Sequence, residues 1–470
     1  MQVFLIILVV LSCVLRTISA GADGPKPTVL IEGVPHVLQK PDFCGEACAA
    51  MFLNKLGYHV DQDYVFDQSG LDPIEGRGCY TRELAVALSK IGFNPGKIYY
   101  SVEASNAEQL DALWSALVVD LMKGVPSIVC MHYSDAPKTT EHFRLILGYD
   151  LPTGQVIFHD PAVPHGQYIR MPKQAFLKLW PLKYDEDKWT VVRLRLEPRK
   201  IQIEERPKGF TRADYAQHIR KLRKKIPQEG FSLVIQEPFV VLGDEGADVL
   251  AGHARGTVKW AVDHLKALYF EQEPADILDI WLFKDSESYE KNAVKLFGAK
   301  PHTPFGYFSQ EHGALVMNIE TGGGTLVHEI VHPFMAANFP KCPSWFNEGL
   351  ASLYEQSAER DGKIVGLTNW RLAGLQESIR KGEVQPFKDL CNTTSVEFYA
   401  SGGRPNYAQA RYLCYYLQEN NLLVKYFHAF RKNADNDPGG YKTLQGILET
   451  EDMDGFQKKW EKWILGLTFP

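Results

Sequence analysis

The segment GGGTLVHEIVH, residues 322–332, constrains the fold of this 470-residue chain more than any other stretch. It places His328, Glu329 and His332 in the order H-E-x-x-H. Two residues four positions apart on a helix lie on one face, one turn from each other, so both imidazoles can bind one ion. Glu329 is offset by one position, from which it can take a proton from water at the metal. The motif predicts a helix that carries part of a metal site.

The other face of the same helix carries apolar residues at Leu326, Ile330, Val331 and Phe334, with the spacing of a core-facing stripe. A chain of this composition would contain the pattern His-acid-x-x-His by chance roughly 0.05 times. The glycines at 322–324 do not form a phosphate loop, because no Gly-Lys-Ser/Thr follows. An ordinary surface helix with three polar residues remains the alternative.

A catalytic zinc ion needs a third protein ligand and an open position for water. The segment PSWFNEGLASLYE, residues 343–355, places Glu348 early in a second predicted helix. The combination HEIVH … WFNEGLA resembles the gluzincin metallopeptidases. The resemblance implies a zinc ion bound by His328, His332 and Glu348, with Glu329 as the general base.

Two further segments carry the same resemblance. ALVMNIE (314–320) is similar to the edge strand that holds extended substrate in gluzincins. NYAQARYLCYYL (406–417) resembles the helix that offers a tyrosine hydroxyl to the oxyanion, with Tyr407 as the candidate, Tyr412 as the fallback and simple packing as the alternative for both. Pro333 removes a helical hydrogen bond, so we expect a kink or a tighter helix start at this point.

A second motif lies near the amino terminus, in LQKPDFCGEACAAMFLNKLGY, residues 38–58. The pattern predicts a polar loop that enters a helix at Cys44. A thiol at a helix N-terminus is expected to have a lowered pKa, because the helix dipole and the free amides favour the thiolate. Gln39 can place a side-chain amide near the same point and help to hold an oxyanion.

A nucleophile also needs a base and a group that orients the base. The neighbouring predicted strands HFRLILGYD and QVIFHD can set His142 beside Asp160. Other histidines compete for the role of base: His132, His159 and His165, although His159 is expected on the strand face opposite Asp160.

Gln…CGEAC, EHFRLILGYD and VIFHDPA together resemble the papain-fold cysteine peptidases of the bacteriocin-processing, double-glycine type, over about residues 35–165. The resemblance implies Cys44 as nucleophile, His142 as base, Asp160 as orienting group and Gln39 as oxyanion donor. The alternative is a domain that keeps the fold without the activity. It would then be a peptide- or surface-binding module that targets the metallopeptidase.

The length of the chain and its pattern of apolar segments predict more than one domain. In the first part, helices precede strand-like runs, which is typical of an α+β domain. We expect a papain-like domain over residues 21–197, a basic linker over 198–230, and a mainly helical gluzincin-type domain with a small N-terminal sheet over 231–470. The linker holds HIRKLRKK, which we interpret as a solvated helix, with an anchor to an anionic surface as the alternative.

The apolar run FLIILVVLSCVL within residues 1–20 is too short to span a membrane and is typical of a signal peptide. A lipoprotein signal ending at Cys13 is the alternative, disfavoured by the bulky Leu11. The net charge of -6 gives no reason to expect a nucleic-acid partner. We therefore expect a secreted zinc-dependent peptidase that acts on peptides or proteins, with a possible second, cysteine-based site. A structural protein with two vestigial sites is a further alternative.

Eight cysteines are present, and seven remain if Cys13 leaves with the signal. An odd number in an oxidising compartment leaves at least one thiol unpaired. A reactive Cys44 would account for it, and up to three disulfides are then expected, with Cys342 and Cys391 as one candidate pair.

Overall fold

The structure is a computed structural model that describes residues 28–206, 208–227, 230–400 and 405–469. The predicted signal peptide, residues 1–20, lies outside the described residues. The chain divides into two compact units, Met1–Gln217 and His218–Pro470. Within the described residues, no helix has the length and apolar character needed to cross a membrane.

The first unit is built on a seven-stranded antiparallel sheet with the order β3-β8-β4-β5-β6-β7, in which β1 also pairs with β5. A short separate pair is formed by β2 and β9. The strands are β1 (Val29–Leu30), β2 (Phe93–Asn94), β3 (Tyr99–Glu103), β4 (Ser127–His132), β5 (Glu141–Asp150), β6 (Gln155–His159), β7 (Ile169–Pro172), β8 (Lys188–Arg195) and β9 (Glu197–Pro198).

Helices cover both faces of this sheet. Along β4, Ile128 and Cys130 pack in one apolar cluster, whereas Val129 and Met131 pack in another, as the twofold alternation of a strand requires. The helices are α1 (Cys44–Lys55), α2 (Gln62–Asp67), α3 (Thr81–Ile91), α4 (Ala107–Met122) and α5 (Lys173–Leu179), and a further helix, α6 (Arg212–Leu222), contains the boundary between the two units. The α+β class and the predicted helices at Cys44, 81–91 and 107–122 are confirmed.

The second unit contains a five-stranded sheet with the order β10-β11-β12-β14-β13, and a separate hairpin of β15 and β16. Its strands are β10 (Ser232–Gln236), β11 (Phe239–Gly243), β12 (Leu278–Phe283), β13 (Gly306–Ser309), β14 (Ala314–Asn318), β15 (Ser357–Arg360) and β16 (Lys363–Gly366). The expectation that residues 314–320 form the edge strand is wrong. β14 is buried along its whole length between β12 and β13, and the half-buried β13 is the edge.

The rest of the second unit is helical. Its helices are α7 (Ala247–His253), α8 (Trp260–Leu268), α9 (Ser286–Phe297), α10 (Gly324–Asn338), α11 (Ser344–Leu353), α12 (Arg371–Lys381), α13 (Phe387–Cys391), α14 (Ser395–Tyr399), α15 (Asn406–Glu419), α16 (Leu423–Asn433), α17 (Tyr441–Leu448) and α18 (Met453–Leu465). A π-helical segment, Ala254–Lys259, joins α7 to α8. Pro333 lies inside α10, and the helix continues through it to Asn338.

The helices α11 and α15 approach closely at Gly349. A Cβ atom at this position would lie 3.1 Å from both the Ala410 carbonyl oxygen and the Cys414 Sγ, closer than side chains normally pack. Near the start of α11, the fully buried Trp345 donates its indole N–H to the Gly439 carbonyl. These contacts fix the position of α11, and with it the position of Glu348.

The seven cysteines in the described part of the chain are all free thiols, so the expected disulfides, including Cys342 to Cys391, are not present. Five of them are buried, and most lie among apolar side chains of the cores. In such surroundings a thiol packs as a small apolar group. The cysteine count therefore does not report a disulfide framework here.

Asp120→Ala is expected to destabilise the first unit by about 3–5 kcal/mol, because it removes the carboxylate that accepts hydrogen bonds from the buried Arg193 and from Arg195. Asp111→Ala on the same helix is the matched control, since its ion pair with Lys173 is largely exposed and is worth less than about 1 kcal/mol. Chemical denaturation, followed by hydrogen exchange in the β8 peptide of the full chain, measures both effects. Equal losses in the two variants would contradict the expectation.

Candidate functional site

The three predicted metal ligands converge in the second unit. His328 and His332 lie on α10 and Glu348 lies on α11, and one ligand atom from each falls within 4.8 Å of the other two. The Glu348 Oε2 atom is 3.3 Å from His328 Nε2 and 3.9 Å from His332 Nε2. Two nitrogens and one carboxylate oxygen at this spacing match the ligand set of a catalytic zinc site.

The far side of each imidazole faces an oxygen atom. Glu355 Oε1 is 3.1 Å from His328 Nδ1, and Asn347 Oδ1 is 3.0 Å from His332 Nδ1. The Asn347 oxygen at His332 Nδ1 fixes the tautomer that leaves Nε2 of that ring free to bind a metal ion, whereas Glu355 lies within ion-pair distance of His328 Nδ1 without the geometry of a hydrogen bond. Both Nε2 atoms consequently face Glu348.

The carboxylates of Glu348 and Glu355 each accept hydrogen bonds from a further side chain. The Tyr399 hydroxyl donates a 2.7 Å hydrogen bond to Glu348 Oε1, the oxygen that does not face the imidazoles. Arg371 donates to both oxygens of Glu355, at 2.7 Å and 3.2 Å. The orientation of each ligand is therefore set by a second group behind it.

The charge distribution at this cluster favours a cation. Burial alone would lower the pKa of His328, but Glu348 and Glu355 outweigh it and raise the pKa to about 10. Burial alone would raise the pKa of Glu348, but His328, His332 and the Tyr399 hydroxyl lower it to about 2. The field of the surrounding groups therefore attracts positive charge to this point.

A cavity of about 830 Å³ opens beside His328. Glu329 lines it, and burial raises the pKa of this carboxyl group. The glycine segment 322–324 and the π-helical segment, through Gly256 and Thr257, form other parts of the wall. Large side chains complete it: Trp260, Phe305, Trp370, Arg371 and Tyr407.

Of the two tyrosine candidates, Tyr407 lines this cavity with His328 and Glu329. Tyr412 is fully buried, and its hydroxyl accepts a hydrogen bond from the Asn369 amide and donates to the Asn369 carbonyl. Tyr412 therefore has a structural role. Tyr407 remains the candidate, and Tyr399 joins it as a tyrosine beside a ligand.

Cys44 is the first residue of α1 in the first unit and lines a second cavity, of about 840 Å³. Gln39 and His142 line the same cavity. The Gln39 Oε1 atom is buried and has no hydrogen-bond partner among the described residues, while its backbone N–H donates to the Pro161 carbonyl. The loop before α1 and the start of β5 thus bring the predicted nucleophile, base and oxyanion donor to one cavity.

His142 and Asp160 form a buried pair, with Nε2 2.7 Å from Oδ1. Arg144, two residues after His142 on the same face of β5, donates its Nε–H to the other Asp160 oxygen at 2.8 Å. Burial alone would raise the pKa of Asp160, but His142 and Arg144 lower it to about 2. The carboxylate is therefore ionised and fixed against the imidazole.

Burial raises the pKa of the Cys44 thiol to about 12, with a further contribution from the negative charge of Glu46. The expectation of a lowered pKa is wrong, because the loss of hydration outweighs the stabilisation that the helix N-terminus gives to a thiolate. Cys44 is a neutral thiol in this environment, and its proton must leave when it reacts.

The competing histidines do not line the described Cys44 cavity. His159 is fully buried beside Tyr168, with ring centroids 4.5 Å apart, and burial lowers its pKa to about 4. His132 lines a separate cavity. His142 is therefore the base candidate.

Sequence reasoning missed four groups that hold the reactive side chains: Arg144, Asn347, Glu355 and Tyr399. Arg144 shares a strand face with His142 by the i, i+2 rule, which was a usable signal. Asn347 precedes Glu348, and Glu355 follows it by two helical turns, so the motif itself contained both. Tyr399 sits 51 residues from Glu348, and no local pattern points to it.

Residues 31–186 match the family model described as the Peptidase_C39 like family. Among solved structures, the chain is similar to the peptidase domain of Streptococcus ComA, described as a bi-functional ABC transporter involved in a quorum sensing pathway. This similarity has 19% identity over 35% of this chain and 99% of that chain, with a TM-score of 0.24. A second structure is xylellain, a cysteine protease from Xylella fastidiosa, with 13% identity over 38% of this chain and 88% of that chain, and a TM-score of 0.25. No curated protein matches the chain.

At these TM-scores neither solved structure defines the fold, so the domain assignment rests on the family match. The first unit contains a Peptidase_C39-like domain of the papain fold, which is a cysteine peptidase-like module. At this coarse level the chain is peptidase-like, and peptides are the substrates that such a domain implies. The gluzincin resemblance of the second unit stays a prediction.

The reaction of Cys44 with iodoacetamide is expected to be slow at neutral pH and to rise with pH towards about 12, because only the thiolate reacts and the raised pKa keeps the thiol protonated. Mass spectrometry of the Cys44 peptide after timed labelling of the native chain measures this rate. A rate that is already at its plateau below pH 8 would show a preformed thiolate and contradict the expectation.

Proposed function

We propose that the second unit is a zinc-dependent peptidase, in a secreted protein whose first unit carries a second, cysteine-based site. The observation that carries the metal site is the convergence of His328, His332 and Glu348, with ligand atoms within 4.8 Å of one another. The hydrogen bond at His332 Nδ1, which leaves Nε2 of that ring free, supports a metal site over a simple ion-pair cluster.

A zinc ion bound here would polarise the substrate carbonyl and lower the pKa of a water molecule. Glu329 lines the cavity beside His328 and is placed to take the proton of the attacking water and to pass it to the leaving amine. Tyr407 lines the same cavity, and we assign its hydroxyl the role of donor to the developing oxyanion.

Peptide is the substrate that we propose for the cavity beside His328. Its volume of about 830 Å³ lies in the upper range of ligand sites, and its walls combine glycines and threonines with large aromatic rings. The resemblance of HEIVH … WFNEGLA to the gluzincins and the peptidase-like first unit support the same substrate class.

For the first unit, we propose that Cys44 attacks a peptide carbonyl while His142 takes the thiol proton. Asp160, fixed by Arg144, keeps the imidazole in the orientation that this transfer needs. The Gln39 side chain in the same cavity is placed to donate its amide N–H to the oxyanion. The raised pKa of Cys44 means that the base acts during the attack and not before it.

The raised pKa of Cys44 also supports a second candidate function for this unit. In that case the cavity binds a peptide or a surface without cleaving it and delivers the metallopeptidase to its substrate. The two functions share the cavity and differ only in turnover.

Glu329→Gln is expected to retain one zinc ion per chain and to lose the chelator-sensitive part of peptide hydrolysis by about 100- to 10,000-fold, because the ligands remain and the base is neutral. His332→Ala and Glu348→Ala are expected to lose both zinc and activity. Metal analysis by mass spectrometry and cleavage of a fluorogenic peptide mixture measure the two quantities. Glu377→Gln, an exposed carboxylate paired with Lys381, is the control. Full activity in Glu329→Gln would refute the assigned base.

The cysteine site is tested by the cleavage that survives a zinc chelator. This residual activity is expected in Glu329→Gln and is expected to fall at least about 100-fold in Cys44→Ala and in His142→Ala. Cys342→Ala, a thiol in the second unit, is the control. If the wild type shows no chelator-resistant cleavage while Cys44→Ala still binds peptide, the first unit is a binding module.

A further inference from the structure

The wall of the Cys44 cavity contains four tyrosine rings. They are Tyr80, Tyr99, Tyr133 and Tyr184, which are 66%, 37%, 42% and 66% exposed. The face of an aromatic ring attracts a cation, most strongly where water is partly excluded. The cavity can therefore select ligands by positive charge.

Two of these rings are already engaged. The Arg77 guanidinium carbon lies 3.8 Å from the Tyr80 ring centroid, and the Tyr133 ring packs at 5.3 Å on His142. Arg77 brings no free charge to the cavity, because Glu83 binds it with two hydrogen bonds of 2.8 Å.

The other two rings have open faces. Within the described residues, Tyr184 makes no ring-to-ring or cation–π contact, and Tyr99 has only the distant Arg82, 6.0 Å from its ring centroid. A ligand that enters the cavity can therefore reach one full ring and part of a second.

Glu141 adds a negative charge beside these rings. It lines the cavity next to His142, and the Tyr184 hydroxyl donates a 2.5 Å hydrogen bond to its Oε1. Its Oε2 has only the Cys130 thiol at 3.9 Å, and within the described ranges Glu141 forms no ion pair. An unpaired carboxylate hydrogen-bonded to an open tyrosine is suited to receive a cation from outside.

On the premise that the Cys44 cavity accepts peptides, we propose that Glu141, Tyr184 and Tyr99 form a subsite for a positively charged side chain. The ammonium or guanidinium group pairs with Glu141, and the stem of the side chain lies against the tyrosine rings. The first unit would then bind peptides with an arginine or lysine near the site of attack.

The test uses the full chain with Cys44→Ala and Glu329→Gln, so that neither proposed site cleaves the probe and binding is measured whether or not the wild type cleaves. The probes are fluorescent decapeptides on a glycine, serine and alanine background, in which each position in turn carries arginine, citrulline, lysine or norleucine. Fluorescence anisotropy is expected to show about fivefold tighter binding for arginine over citrulline and lysine over norleucine at one position. This preference should weaken as salt is added.

Adding Glu141→Gln is expected to abolish the preference, and adding Tyr184→Phe, which keeps the ring and removes the hydrogen bond to Glu141, is expected to reduce it. Glu186→Gln makes the same charge change two residues from Tyr184 without lining the cavity, and should have no effect. Equal binding of arginine and citrulline peptides, a preference that survives Glu141→Gln, or no binding of any peptide would each overturn the proposal. Absence of cleavage by the wild type would leave the subsite standing and refute only the cysteine peptidase.

Discussion

The organisation of the second unit depends on how charged groups are accommodated between two buried helices. A carboxylate from α11 faces two imidazoles of α10, and a further polar side chain lies beside each of these three groups. Buried ionisable groups are tolerated only when they are paired and hydrogen-bonded, so the cluster requires the two helices to keep one relative position. The packing of α11 against α15 and the anchoring of Trp345 provide that position.

The two units hold their histidines by the same physical arrangement. In each unit an arginine binds a buried carboxylate, and the carboxylate binds or faces an imidazole. The two chains of contacts are Arg144–Asp160–His142 and Arg371–Glu355–His328. An arginine keeps the carboxylate ionised and fixes its plane, so the imidazole faces a defined negative oxygen. Unrelated folds thus meet the same requirement in the same way.

The sequence predicted features that depend on local periodicity and spacing. The helix at Cys44, the helices at 81–91 and 107–122, and the convergence of Glu348 with the two histidines all follow from residues close together in the chain. Features that depend on tertiary structure could not be predicted from the sequence. The position of β13 at the sheet edge is set by strand order, the high pKa of Cys44 by burial, and the contact of Tyr399 with Glu348 by the path of the chain after α13. The odd cysteine count suggested disulfides because composition does not distinguish a buried thiol from a bridged one.

Gly349 has a consequence for the proposed metal centre. A Cβ atom at this position would lie 3.1 Å from the α15 backbone and from the Cys414 Sγ, and the residue before it is Glu348, the predicted third ligand. A larger residue would require α15 or the Cys414 side chain to give way by a few tenths of an ångström, next to the carboxylate that faces the imidazoles. For the proposed metal centre, Glu348 and Gly349 therefore act as a unit, because the glycine allows the close packing of the helix that carries the carboxylate.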